Sequence, residues 1–166
     1  PSSAASDVYK RQVSDFTGAK EILSGRVKTL HPKIYAGVLN KRKNKTHLKE
    51  MKLENFENID LVIVNFYEFE RALAKTKNVN KIVEYIDIGG PTLARAAAKN
   101  YNDVTVISST EQYSELIHEL TINKGYTSFK FREKMSRLAF SETAFYDSVI
   151  SNYFNKITNT QFPKKK

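Results

Sequence analysis

Two rhythms of apolar and polar positions run along this chain, and the expected elements follow from where each one holds. Residues 59–66, I-D-L-V-I-V-N-F, form a nearly continuous apolar run between polar segments. Such a run predicts a strand buried on both faces of a parallel sheet, because alternation disappears when neither face meets water. Residues 103–108, D-V-T-V-I-S, repeat the signal with β-branched side chains suited to a pleated surface. Elsewhere the period lengthens. Residues 68–76 and 79–85 predict helices, as do 110–122, where Thr110 is a suitable cap. Across 127–154 the positions Phe131, Met135, Leu138, Phe145, Val149 and Tyr153 keep helical spacing. They call for one long helix or two in succession, with the aromatics as core or dimer interface. Gly18, Gly25, Pro32 and Gly37 punctuate residues 13–40, so short elements and ordered turns are expected there. Residues 41–57 are polar and allow at most one short amphipathic helix, through Leu48, Met51 and Leu53.

The richest stretch is 86–100, I-D-I-G-G-P-T-L-A-R-A-A-A-K-N. An apolar segment carries the carboxylate of Asp87, passes through Gly89 and Gly90, and enters an alanine-rich helix whose first residue can be Pro91. Glycines let the backbone approach a ligand, and the N–H groups and dipole of a helix start favour a phosphate or an oxyanion. Thr92, Arg95, Ala96 and Lys99 share one helical face. The same features also describe a plain tight turn before a packing helix. Asn65 and Tyr67 lie at the carboxyl end of the first strand, where open α/β sheets bind ligands. Burial of Tyr67 with its hydroxyl satisfied is the competing reading. In G-R-V-K-T-L-H-P, residues 25–32, Arg26 and Lys28 project from one side if the segment is extended and can clamp an anion. A basic surface strand is the alternative.

Composition narrows the class. With 166 residues, 40% of them hydrophobic, one globular domain with a sizeable core is expected. There are no cysteines, so thiolate metal sites and disulfides are excluded. No apolar run approaches the roughly 20 residues that span a bilayer, and no signal-peptide pattern is visible, so a cytoplasmic protein is expected. The 27 basic against 18 acidic residues invite a nucleic-acid reading. Much of the excess sits in 41–49 and 164–166, without the interleaved aromatics of a single-strand binding surface. Neither a nucleic-acid nor a membrane partner is therefore expected. His31, His47 and His118 lack the spacing of a metal-ligand set, and a lone histidine before proline more often fixes a loop.

Several separated blocks, G-R-V-K-T-L-H-P (25–32), N-F-Y-E-F (65–69), I-D-I-G-G-P-T (86–92), A-A-A-K-N (96–100) and Y-D-S-V-I-S-N-Y-F (146–154), together closely resemble the IMP cyclohydrolase domain of the bifunctional AICAR transformylase/IMP cyclohydrolase family. The resemblance implies an α/β, methylglyoxal-synthase-like (MGS-like) domain over 13–157. Its mainly parallel sheet would be flanked by helices, with the family's opening strand region missing and a long C-terminal helical segment. Residues 1–12 read as an unrelated or disordered start, and 158–166 as a linker or the truncated beginning of a connection to a transformylase domain.

The implied reaction closes the purine ring of FAICAR to give IMP and water, in a homodimer, with no metal or organic cofactor. The family's 10-formyltetrahydrofolate serves the transformylase domain, which this chain stops before. Ring closure needs an oxyanion stabilised and protons moved, so electrostatics and positioning should supply most of the rate. Lys28 and Lys99 are assigned to the oxyanion and proton delivery, with Lys99 matching the family's proton-transferring lysine. Asp87 would orient the carboxamide and take its proton, and Tyr67 would hydrogen-bond the formyl oxygen or relay its proton, all converging on one pocket. By resemblance Arg26, Val27, Thr29, Val64, Asn65, Ile88, Gly89 and Gly90 contact the nucleotide. Glu68, Tyr101 and the pair Ser141 and Glu142 depart from the family pattern. A non-catalytic nucleotide-sensing MGS-like domain and a basic nucleic-acid module are the alternatives from other classes.

Overall fold

The computed structural model describes residues 11–158, and the chain divides after Ile59 into two compact units. Most of the expected first segment, and everything beyond Thr158, lies outside the described residues.

The first unit is built from short helices, as its glycines and prolines require. Helix α1 (Val13–Thr17) ends where Gly18 turns left-handed at φ 74°. A 3₁₀ turn, Leu23–Gly25, then folds Ile22 back onto Val27 as an antiparallel bridge. Arg26 sits in that turn with helical angles (φ −64°, ψ −26°). The segment is thus not extended across Arg26 and Lys28, and simple alternation does not place their side chains together. Helix α2 (Pro32–Leu39) has proline at its start, and the His31 ring caps it by accepting the Lys33 N–H at 3.2 Å. This is the expected loop-fixing role. Helix α3 (Lys45–Leu53) is capped by Asn44, which accepts from Thr46 and His47. The basic run 41–49 is therefore partly helical. Gly37 of α2 lies where a Cβ would come within 2.8 Å of the Glu57 carbonyl, so only glycine lets the 57–59 strand of chain press against the helix.

The second unit holds the sheet. Strands β1 (Leu61–Ile63) and β2 (Thr105–Ile107) pair in parallel, Val62 opposite Val106. Parallel strands need a crossover, and helices α4 (Phe69–Lys75), α5 (Val79–Val83) and α6 (Gly89–Lys99) supply it. β2 is wholly buried. β1 departs from expectation: Val62 is buried, whereas Leu61 and Ile63 are 37% and 48% exposed. Cover differs between the strands: α6 packs on both, and the long last helix packs chiefly on β2.

After β2 a 3₁₀ turn, Thr110–Gln112, leads into α7 (Tyr113–Ile122). Its cap is Ser109, one residue before the expected Thr110, and Ser109 accepts the Glu111 N–H. Helix α8 (Phe129–Thr158) is a single run of 30 residues. Its buried line is Phe131, Met135, Ala139, Thr143 and Tyr146, whereas Leu138 and Phe145, expected on the apolar face, are 39% and 58% exposed. Ala94, Ala97 and Ala98 of α6 are fully buried. Their small side chains let α8 approach closely enough for Ser136 Oγ to donate to the Ala98 carbonyl at 2.8 Å. A further apolar cluster gathers Phe69, Ile82 and Tyr146 with Phe66, Ile86 and Val149 around them. Among the described residues no helix is long and apolar enough to cross a membrane.

Candidate active site

The carboxyl end of β1 and the entry to α6 meet in the second unit. After Ile63 the chain leaves the sheet once the Val64 N–H has donated to the Ile107 carbonyl at 2.9 Å. This lifts Asn65 and Tyr67 clear of the ladder. Asn65 donates to the Tyr113 hydroxyl at 3.2 Å. Tyr67 is 63% exposed, which rules out the reading of a buried, satisfied tyrosine and leaves its phenol open to a ligand.

Asp87 organises the turn that faces these residues. Its Oδ1 accepts the Gly90 N–H at 2.9 Å, and its Oδ2 accepts the Tyr67 N–H at 3.3 Å. The helix begins at Gly89, two residues earlier than Pro91. Its first turn thus receives an anion from the chain itself, the side chain of Asp87. The glycine at 90 is needed for close approach, because a Cβ there would stand 2.6 Å from Asp87 Oδ2. Ile88 is 57% exposed, and its carbonyl accepts both the Thr92 N–H and the Thr92 hydroxyl. The backbone N–H of Asp87 donates to the Tyr146 hydroxyl at 2.8 Å. Burial is the main reason the Tyr146 phenol is held above its ordinary value, and the nearby Asp87 charge pushes the same way. A cleft of about 450 Å³ opens beside this junction, lined by Asn65, Phe66, Tyr67, Ser108, Glu142 and Tyr146.

The two expected catalytic cations belong to different units. Lys99 is exposed in the last turn of α6, and Asp87 precedes the first. With 1.5 Å rise per residue, the helix carries the chain about 15 Å along its axis from Gly89, just after Asp87, to Lys99. Asp87 and Lys99 stand at opposite ends of that helix. Lys28 belongs to the first unit, where its ammonium pairs with Glu21 at 3.2 Å, both side chains more than half exposed. Arg26 is exposed, and Val27 and Thr29 are half-buried in the same turn. Among the described residues no group of three or more His, Asp or Glu side chains could hold a metal ion.

Sequence reasoning passed over two participants, Tyr113 and Tyr146. Tyr113 opens a helix with no local sign of its partner 48 positions upstream. Tyr146 did carry a signal: it continues the spacing of Met135, Ala139 and Thr143, and a hydroxyl on a buried face needs a partner.

A two-stranded parallel core crossed by helices, with a polar junction at the strand ends, agrees with the family comparisons. The model of the MGS-like domain matches residues 4–92, more than half of the sequence, and this chain belongs to that family. The model of the AICARFT/IMPCHase bienzyme matches residues 97–166. Among curated proteins, the chain is similar to the bifunctional purine biosynthesis protein PurH of Bradyrhizobium diazoefficiens, with 45% identity over 92% of this chain and 29% of that one. The PurH of Persephonella marina is 48% identical over 87% of this chain and 28% of its own length. The chain thus spans less than a third of these relatives. A solved structure described as the crystal structure of ForH superposes with a TM-score of 0.76 at 27% identity, covering 92% of this chain and 82% of that one.

Proposed function

We propose that this chain is the cyclohydrolase part of a bifunctional purine biosynthesis enzyme, a cytoplasmic homodimer that closes the purine ring of FAICAR to give IMP and water. The observation that carries the reading is the 45% identity to a bifunctional purine biosynthesis protein across 92% of the chain. The geometry supports it at one point in particular: Asp87 and Tyr67, far apart in sequence, are joined by a 3.3 Å hydrogen bond at the carboxyl end of β1.

In this reading the substrate carboxamide nitrogen attacks the formyl carbon. The new C–N bond pushes the carbonyl electrons onto oxygen, and Asp87 receives the nitrogen's proton as that bond forms, since a carboxylate is too weak a base to ionise an amide beforehand. Tyr67, exposed and next to Asp87, hydrogen-bonds the developing oxyanion. Lys28 and Lys99 neutralise it and supply the two protons with which the oxygen departs as water. The C–O bond breaks as the formamido nitrogen loses its proton and forms the C=N bond. That proton, with the one taken by Asp87, restores the lysines. The Lys28 pair with Glu21 is exposed, a class worth at most about 1 kcal/mol, so it exchanges readily for a substrate anion. Asn65, Val64, Ile88, Gly89 and Gly90 line the nucleotide's path beside the Asp87 turn, and Arg26, Val27 and Thr29 are assigned to the nucleotide by the family resemblance. Residues 13–157 would then act as one functional domain.

Because α6 separates Lys99 from Asp87 of its own chain, Lys99 serves the site of a second copy. The step uses no metal or organic cofactor, and 10-formyltetrahydrofolate is reserved for the transformylase domain of the fuller protein. Ultraviolet appearance of IMP from FAICAR is the test. An absence of product from the folded chain while IMP still binds would move the assignment to a nucleotide-sensing domain. One observation favours that second reading: both Asp87 oxygens already accept backbone N–H groups, as a purely structural cap would.

A further inference from the structure

Tyr146 lies in the middle of α8, 59 positions from Asp87, yet it touches both halves of the candidate site. Its hydroxyl accepts the Asp87 N–H at 2.8 Å and donates to the Tyr85 carbonyl at 3.4 Å, bracketing the turn on either side of Ile86. Its ring meets Phe66 edge-on, with centroids 5.5 Å apart and planes at 64°. Phe66 precedes Tyr67, whose N–H returns to Asp87 Oδ2. The contacts therefore close a circuit. They run from the Tyr146 ring to Phe66, through Tyr67 to the Asp87 carboxylate, and through the Asp87 N–H back to the Tyr146 hydroxyl.

A phenylalanine would fill this apolar cluster as well as Tyr146, which is 8% exposed. Within the cluster the hydroxyl has one use, the backbone of residues 85–87. Removing it leaves a half-buried N–H and a carbonyl without that partner, and such groups move to find another. The helix that carries Tyr146 also packs on α6 and β2, so it is a rigid base for holding a neighbouring group in place.

Resting on the cyclohydrolase reading, we propose that Tyr146 is a positioning residue for the ring-closing step. It holds the Asp87 carboxylate against the backbone of Tyr67, although it does not itself reach the reacting atoms. The test is Tyr146→Phe in the full chain, followed by three readouts. Amide hydrogen exchange should show the Asp87 N–H protected in the unaltered chain and exchanging at least about 10-fold faster in Y146F. In the IMP assay kcat should fall by about 10- to 100-fold with KM within about 2-fold, the pattern of misplacement rather than lost binding. The midpoint of thermal unfolding should fall by only a few degrees.

An unchanged kcat in Y146F, with Asp87→Ala inactive, overturns the positioning role and leaves the proposed reaction standing. An unaltered chain whose Asp87 N–H exchanges freely also overturns it, even if Y146F fails to fold. An unaltered chain that makes no IMP while Asp87 remains protected overturns the reaction and the catalytic role with it, but not the clamp.

Discussion

Substituting Gly90 by alanine tests the Asp87 turn quantitatively. The added methyl would stand 2.6 Å from Asp87 Oδ2, 3.1 Å from Cγ and 3.3 Å from Oδ1, so the carboxylate must swing away. It would lose the 2.9 Å bond from the Gly90 N–H, a charge-assisted contact worth about 1.5–3 kcal/mol. Against this, alanine is the better helix former by up to about 1 kcal/mol. The net loss is then about 0.5–3 kcal/mol, or about 1–12 °C in unfolding midpoint for a chain of this length. The decisive comparison is the same substitution in an Asp87→Ala background. There the clash and the bond are both gone, so G90A should be neutral or stabilising by up to about 1 kcal/mol. The coupling of about 1.5–3 kcal/mol is then the energy of the cap itself. Urea or thermal unfolding of the four proteins measures it. If G90A is equally destabilising in both backgrounds, the methyl is meeting something other than Asp87, and the account of this turn is wrong.

Three further outcomes are expected. Lys99→Ala and Asp87→Ala should each lose turnover by about 100-fold or more, K99A with stability within about 0.5 kcal/mol because Lys99 is exposed. A mixture of the two variants should regain up to about a quarter of normal activity through mixed dimers; no recovery refutes the use of Lys99 across copies. Glu119, whose Oε1 accepts the Ser128 N–H at 2.6 Å, is held below the usual carboxylate range chiefly by its bonds to Ser128. That contribution to stability is present above the ordinary carboxylate pKa and lost as pH falls through the lowered one, so acid unfolding of Glu119→Gln should lack this part of the slope. Arg132 donates to the carbonyls of Tyr101 at 2.9 Å and Asn102 at 3.0 Å, tying the start of α8 to the loop before β2. Arg132→Ala should cost about 1.5–3 kcal/mol in urea unfolding, with lysine a poor substitute for the planar fork.

Most of the chain's grammar is local and legible. The helical stretches 68–76 and 79–85 and the apolar runs of β1 and β2 announce their elements within a few residues, because periodicity acts over one or two turns. The motif blocks that resemble the cyclohydrolase family are also written in the sequence, and the MGS-like match agrees with them. Misjudgements arose where a neighbour distant in sequence decides. The run 59–66 looks fully buried, yet Leu61 and Ile63 are open, the long helix packing chiefly on β2. Leu138 and Phe145 fit a helical repeat as well as Ala139 and Tyr146 do, and only the packing of α8 on α6 selects which line is buried. Likewise, 86–100 displays Asp87 and Lys99 as one motif, while the helix formed from it holds them a helix length apart.

The sequence by itself determined which elements form, in what order, and which residue types could do chemistry, since these depend on short-range sterics and hydrogen bonding. Only the tertiary structure decided that Asp87 would grip Tyr67 and be gripped by Tyr146. Those bonds join residues 20 and 59 positions apart, and chain folding in three dimensions, not spacing along it, brings them within reach.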